Sequence, residues 1–216
     1  MTLETIRNGV SALYEELGAH GLILGSSGNV SGRTRDGMAI TPSGGSPPLR
    51  TPTDVAVMDL DGGVANQATP SSEWPMHAAI YRAFPDARFI VHAHCDACTA
   101  LACLAECLPA FHYMVVQFGG EDVRCAPYVT FGTPALAEIA VTALAGRTAC
   151  LLANHGMIVL GRTQQEALAH SLLLEQLCRQ YLLARAAGTP RLLTTEEMAA
   201  AKDRFRTYGP RAKAAG

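Results

Sequence analysis

Lysine is almost missing from this chain: only Lys202 and Lys213, both near the C-terminal end, occur among 216 residues. A Schiff-base lysine buried in the middle of a fold is therefore excluded. Excess charge is missing too. Seventeen Lys and Arg against nineteen Asp and Glu leave a formal net charge of −2, with no basic stripe to track a nucleic-acid backbone, so nucleic acid is not an expected partner. No stretch approaches the ~18 consecutive apolar residues of a membrane span, and the opening Met1-Thr2-Leu3-Glu4-Thr5-Ile6-Arg7 carries no apolar signal core. A chain of this length buries about 70% of its unfolded surface and needs no covalent staples. Its seven cysteines, an odd count, thus read as reduced thiols, and the expected location is cytoplasmic.

What is present is core material. Hydrophobic residues make up 49% and charged residues 17%, with a mean hydropathy of +0.14, which excludes an intrinsically disordered chain. At ~150 residues per domain the length fits one large domain, 1–216. Leu3, Ile6, Val10, Leu13, Tyr14 and Leu17 recur at helical spacing and predict a helix over 3–17, ended by Gly18 and Gly21. The Gly- and Ser-dense stretch 25–33 and Pro42-Ser43-Gly44-Gly45 read as loops. Short strands are expected at 38–41 and 56–60, then a helix opening at Ser71-Ser72-Glu73-Trp74-Pro75 and running to Phe84. Phe89-Ile90-Val91 reads as a buried strand that delivers His92-Ala93-His94. Helices are expected near 96–106 and 134–145, strands at 150–153 and 157–160, and helices over 163–187 and 194–206. The alternation is irregular, with hairpin-like pairs, which predicts a mixed sheet covered by helices and not a doubly wound parallel fold.

Side chains on a strand alternate with period two, so His92 and His94 share a face and offer two imidazoles to one metal ion. His155 sits in a tight Asn154-His155-Gly156 turn between two apolar strands. Alone it would read as a packing histidine. Glu73, in the first turn of its helix, would be an ordinary first-turn acid by itself, although the dipole there favours its ionised form. Ser71 and Ser72 read equally as helix caps or as hydroxyls lining an anion site. Gly28-Asn29 and Ser43-Gly44 form small glycine-rich cradles that bind phosphate without lysine. No P-loop or dinucleotide fingerprint is present. Together these features point to a phosphorylated small molecule beside a histidine-bound metal. Cys95-Asp96-Ala97-Cys98 could be a redox or zinc pair, but it opens an Ala-rich helix where cysteine packs like alanine.

The ordered set Ser27-Gly28-Asn29-Val30-Ser31, Thr41-Pro42-Ser43-Gly44, Pro70-Ser71-Ser72-Glu73-Trp74, His92-Ala93-His94 and Asn154-His155-Gly156 resembles the class II aldolase/adducin family, and within it the branch that acts on L-fuculose 1-phosphate. His112-Tyr113-Met114, Cys125-Ala126-Pro127-Tyr128, Thr130-Phe131-Gly132-Thr133 and Phe205-Arg206-Thr207-Tyr208-Gly209 extend the likeness over about residues 5–209. The resemblance implies an α/β fold: a three-layer α/β/α subunit with a mixed, largely antiparallel central sheet, in a fourfold-symmetric homotetramer with active sites between neighbours. It implies Zn²⁺, with Co²⁺ or Mn²⁺ as substitutes, on His92, His94 and His155. Glu73 would ligate at rest and act as acid/base once substrate displaces it. Gly28, Asn29, Ser43, Gly44, Ser71 and Ser72 would hold the substrate phosphate, Tyr113 and Tyr208 would reach a neighbour's site, and Phe131 would line the aldehyde pocket. The implied reaction is reversible cleavage of a ketose 1-phosphate to dihydroxyacetone phosphate and a small aldehyde. The ketose would be L-fuculose 1-phosphate or a 5-deoxy- or 5-methylthio-pentulose 1-phosphate.

Three rivals remain at this point. A sugar-phosphate 4-epimerase or decarboxylase would use the same fold, but the epimerase branch usually carries aspartate where Glu73 stands. A catalytically silent adducin-like binding module would be expected to lose metal ligands, and all are present. A cysteine-based redox or metal-binding protein would rest on Cys95 and Cys98.

Overall fold

Thr2 caps the first helix by accepting a hydrogen bond from the Thr5 N–H, and α1 (Leu3–Ala19) follows. Its stripe Ile6, Val10, Leu13, Tyr14 and Leu17 is buried. Burying each of the larger aliphatic side chains contributes roughly 1.5–3 kcal/mol. Gly18 stays inside the helix, and Gly21, at φ +74°, takes the left-handed turn that ends it. The computed structural model describes residues 1–208; Gly209 of the terminal motif and Lys213 lie outside them.

The described residues form seven strands: β1 (Asn29–Arg33), β2 (Met38–Ile40), β3 (Ala56–Met58), β4 (Phe89–Ala93), β5 (Cys125–Ala126), β6 (Ala149–Leu152) and β7 (Gly156–Gly161). They make one open sheet in the order β3-β2-β1-β4-β7-β6-β5. Every neighbouring pair is antiparallel except β5 with β6. The remaining helices are α2 (Trp74–Ala83), α3 (Asp96–Cys103), α4 (Pro134–Ala143), α5 (Gln164–Ala187) and α6 (Thr195–Arg206). Strand alternation divides the core in two. Val30, Val91, Leu151 and Val159 pack with α1, α3, α5 and Met198 of α6, whereas Met38, Ile40, Ile90, Cys150 and Ile158 pack with α2 and α4. The three-layer α/β/α arrangement with a largely antiparallel sheet is thus present.

The Gly- and Ser-rich stretch is where the structure departs from expectation. Residues 29–33 are not loop but a central strand, paired to β2 on one side and to β4 on the other. Gly32 faces α1 so tightly that a Cβ would lie 2.7 Å from Ile6 Cγ2 and 3.0 Å from Val10 Cγ2. Three further elements went unforeseen: the two-residue β5 and two 3-10 segments, Pro52–Asp54 and Tyr113–Phe118. Strand β3 stops at Met58, two residues short of the expected end.

Gly32→Ala should lower stability by about 1–3 kcal/mol through overpacking, or several degrees of melting temperature for a chain of this size. A thermal melt unchanged within a degree would show that β1 and α1 are not in this contact.

Candidate active site

Three structural ends meet on the α2 face of the sheet. Strand β4 supplies His92 and, one residue past its end, His94. The β6–β7 turn supplies His155, with Asn154 at φ +55° and the His155 N–H donating to the Leu152 carbonyl. Gly156 permits the approach: a Cβ there would collide with the Ala93 carbonyl and the His94 ring. Glu73 is the N-cap residue of α2, not a member of its first turn, and its N–H donates to Ser71 Oγ at 3.3 Å.

The three imidazole centroids lie 4.7–4.8 Å apart. His92 donates its Nδ1 hydrogen to the Met157 carbonyl at 2.9 Å, which turns Nε2 inward. That nitrogen sits 2.9 Å from His94 Nε2 and 3.1 Å from Glu73 Oε2, while His155 Nε2 is 3.4 Å from Glu73 Oε1. Burial, reinforced by the neighbouring imidazoles, lowers His94 to about 4; burial and then His92 do the same for His155. Both are therefore neutral donors of lone pairs near pH 7. For Glu73 burial favours the neutral acid, but attraction to His92, hydrogen bonds from His92 and Asn29, and the nearby His155 prevail and hold the carboxyl well below its usual range. Glu73 Oε1 is buried and has no hydrogen-bond partner. Converging lone pairs around an orphaned carboxylate oxygen call for a cation, and all four donor atoms lie within 4.8 Å of one another. An N₃O donor set of this kind suits a divalent metal ion.

Around this cluster the three expected phosphate-binding segments are sewn together by Thr41, whose role the sequence did not reveal. Its Oγ1 accepts from the Val30 N–H, its N–H donates to the Val30 carbonyl, and its carbonyl accepts from the Ser71 N–H. Ser43 N–H donates to the Thr69 carbonyl, and Pro42 bridges Pro70. Gly28, at φ +89°, lies against β4, where a Cβ would be 2.7 Å from the His92 carbonyl oxygen. Among the described residues, Ser43 Oγ, Ser72 Oγ and the Gly44 N–H make no hydrogen bond, leaving donors for an anion. A cleft of about 580 Å³ opens beside them, lined by Ser43, Gly44, Gly45, Ser46 and Arg50. Asn29 is more committed than expected: Nδ2 donates to Glu73 Oε2 at 2.9 Å and Oδ1 accepts from His77 at 2.5 Å. One Nδ2 hydrogen remains.

The aromatic residues stand apart. Tyr113 is 49% exposed, stacked between His112 and Phe205, and Tyr208 sits edge-on to Phe205. Phe131 and Tyr208 are 66% and 72% exposed. Among the described residues none of the three hydrogen-bonds to a histidine of the cluster or to Glu73.

A second cluster, Cys95, Cys98 and Glu175, has a different explanation. Both Glu175 oxygens accept from the start of α3, from Ala97 N–H at 2.8 Å and Cys98 N–H at 2.9 Å. The carboxylate is a helix cap supplied from α5. Cys98 is fully buried, and burial pushes its thiol well above the ordinary range. Cys95 is raised as well: the Cys98 thiol favours its thiolate, but burial and Glu175 outweigh that. Thiols held protonated and dry are inert.

The comparisons with known proteins agree with this geometry. The family model "Class II Aldolase and Adducin N-terminal domain" matches residues 8–182. The chain belongs to the class II aldolase and adducin family. It is 40% identical over 208 residues to the 5-methylthioribulose-1-phosphate/5-deoxyribulose-1-phosphate aldolase of Rhodospirillum rubrum, covering 96% of this chain and 94% of that one. It is 41% identical over 192 residues to the L-fuculose phosphate aldolase of Escherichia coli, covering 88% and 89%. A solved structure of an L-fuculose 1-phosphate aldolase superposes with a TM-score of 0.90 at 38% identity, covering 95% of this chain and 98% of the other. The chain is thus an enzyme of the metal-dependent aldehyde-lyase class, which removes the silent binding module from consideration. No described helix is long and apolar enough to cross a membrane.

At pH 7 an alkylating reagent should label exposed Cys103 first, and should reach Cys95, Cys98 and Cys178 only on unfolding. Mass spectrometry of the native protein reads this. Rapid native labelling of Cys95 and Cys98 with parallel loss of activity would reinstate the cysteine-based reading.

Proposed function

We propose that this enzyme is a zinc-dependent aldolase that reversibly cleaves a ketose 1-phosphate to dihydroxyacetone phosphate and a small aldehyde. The ketose is L-fuculose 1-phosphate or a 5-deoxy- or 5-methylthio-pentulose 1-phosphate, the substrates in the names of its relatives. The observation that carries the reading is the convergence of His92, His94, His155 and buried Glu73, whose donor atoms lie within 4.8 Å of one another while Glu73 Oε1 accepts no hydrogen bond. His92, His94, His155 and Glu73 would hold the ion. Bound there, a divalent cation supplies Lewis acidity for the ketose oxygens and for the enediolate that cleavage leaves.

The protein's own groups do the rest. Gly28, Asn29, Ser43, Gly44, Ser71 and Ser72 anchor the phosphate with neutral donors. When the C4 hydroxyl loses its proton and the C3–C4 bond breaks, the electron pair passes to C3 and C2, and the aldehyde departs. Glu73, freed from its resting contacts, takes up a proton from solvent and delivers it to C3, completing dihydroxyacetone phosphate; general acid–base help of this kind contributes ~10²–10⁴-fold. Tyr113 exchanges the proton of the departing aldehyde oxygen. In this reading Tyr113, Tyr208 and Phe131, all exposed on their own subunit, complete the site between neighbours in the fourfold homotetramer that the family resemblance implies, with Phe131 against the aldehyde.

Purified protein should contain about one Zn²⁺ per chain. Chelation should abolish release of dihydroxyacetone phosphate from a panel of ketose 1-phosphates, and Zn²⁺ or Co²⁺ should restore it; full activity in metal-free protein would end the reading. Epimerisation or decarboxylation without release of that product would assign the other reaction of the fold.

Glu73→Gln keeps the shape but carries no proton, so turnover should fall at least ~10²-fold with substrate binding largely retained. Tyr113→Phe should also be slow. Refolded together, the two variants should recover part of the activity, because mixed tetramers contain sites with both groups intact. Verified mixed tetramers without recovery would place Tyr113 outside a shared site.

A further inference from the structure

Behind Glu73 runs a buried chain of polar groups that the proposed reaction does not use. Asn29 Nδ2 meets Glu73 Oε2 at 2.9 Å; Asn29 Oδ1 meets His77 Nε2 at 2.5 Å; His77 Nδ1 meets Ser31 Oγ at 2.7 Å; Ser31 Oγ meets Tyr81 Oη at 2.9 Å. Asn29, Ser31, Glu73, His77 and Tyr81 are all buried, His77 completely. Two periodicities produce the alignment. Residues 73, 77 and 81 lie four apart on one face of α2, a rise of about 6 Å per step. Residues 29 and 31 lie two apart on one face of β1, a rise of about 6.6 Å. The steps nearly match, so the strand side chains interleave with those of the helix.

The carboxylate fixes the direction of every hydrogen bond in the chain. An ionised carboxylate only accepts, so the Asn29 amide presents its nitrogen to Glu73 and its oxygen to His77. His77 must then donate from Nε2 and accept at Nδ1. Ser31 gives its one hydrogen to His77 and accepts from Tyr81. Tyr81 Oη also lies 3.4 Å from the Arg88 carbonyl, but from Glu73 through Ser31 no member can reverse without leaving a buried donor or acceptor unsatisfied. The result at the active end is asymmetric: Oε2 of Glu73 accepts from Asn29 and has His92 Nε2 at 3.1 Å, while Oε1 accepts no hydrogen bond and has only His155 Nε2 near it, at 3.4 Å.

We propose that His77 is a positioning residue, acting through Asn29, that pins Oε2 of Glu73 and leaves Oε1 as the oxygen that binds the metal and later carries the proton. The inference rests on the reading of Glu73 as ligand and proton carrier. The chain distinguishes the two oxygens of one carboxylate before any ligand arrives.

Two measurements test it. Nitrogen NMR of the zinc-loaded enzyme reads the His77 ring without any substitution, and should find hydrogen on Nε2 and none on Nδ1; the reverse tautomer would overturn the proposal. His77→Leu removes the donor at similar volume, while His77→Gln restores an N–H toward Asn29. The leucine variant should bind zinc ~10–100-fold more weakly in competition with a chromophoric chelator, with a kcat loss of the same order and KM little changed. The glutamine variant should recover most of both. A folded leucine variant with wild-type zinc affinity and kcat would reduce His77 to packing, and so would failure of a folded glutamine variant to recover either. Should the leucine variant not fold, the tautomer and the glutamine variant decide. If no ketose phosphate is cleaved but zinc affinity follows the same order, the aldolase reading fails and the positioning role stands.

Discussion

Glu73 places a charge where water scarcely reaches, with 7% of the residue exposed, and an unpartnered carboxylate in such a place would protonate or expel its segment. Much of the local architecture answers that constraint. Two imidazoles approach its oxygens from β4 and the β6–β7 turn, and an amide approaches from β1. Each arrives on a different piece of chain. The site is therefore a junction whose members hold one another in place, and none of its segments would keep this geometry alone.

Much of the junction was legible in residue order. The spacing of His92 and His94 implied a shared face, and the Asn154-His155-Gly156 turn carried a glycine where backbone had to pass close to His94. The helices followed from capping residues and apolar periodicity, to within a few residues at their ends. Strand β1 was not legible, and for a physical reason. Asn29, Ser31 and Gly32 are poor strand formers, yet Asn29 and Ser31 reach toward α2 and Gly32 admits α1. Local preference is overruled there by the needs of the site and of the packing. His77 was hidden for the opposite reason: among Met76, Ala79 and Ile80 it looked like one polar residue on an apolar helix. Its signal was its place four residues after Glu73 and four before Tyr81. The 3-10 segment beginning at Tyr113 and the two-residue β5 are too short to show any period.

Poverty in lysine also has a structural counterpart. The segments around Thr41 offer hydroxyls and N–H groups held by main-chain hydrogen bonds, so an anion there would meet fixed dipoles and not a flexible ammonium group. Fixed dipoles need little reorganisation when charge arrives. Their precision depends on backbone, which is why glycine recurs along these segments.

The sheet ends in very short outer strands, three residues in β3 and two in β5. Such edges offer too few free main-chain groups to template another strand. Copies of this chain that associate must then meet through side chains, not through a shared ladder. Contacts of that kind can be rearranged one residue at a time, so such a surface can diversify while the fold beneath it is kept.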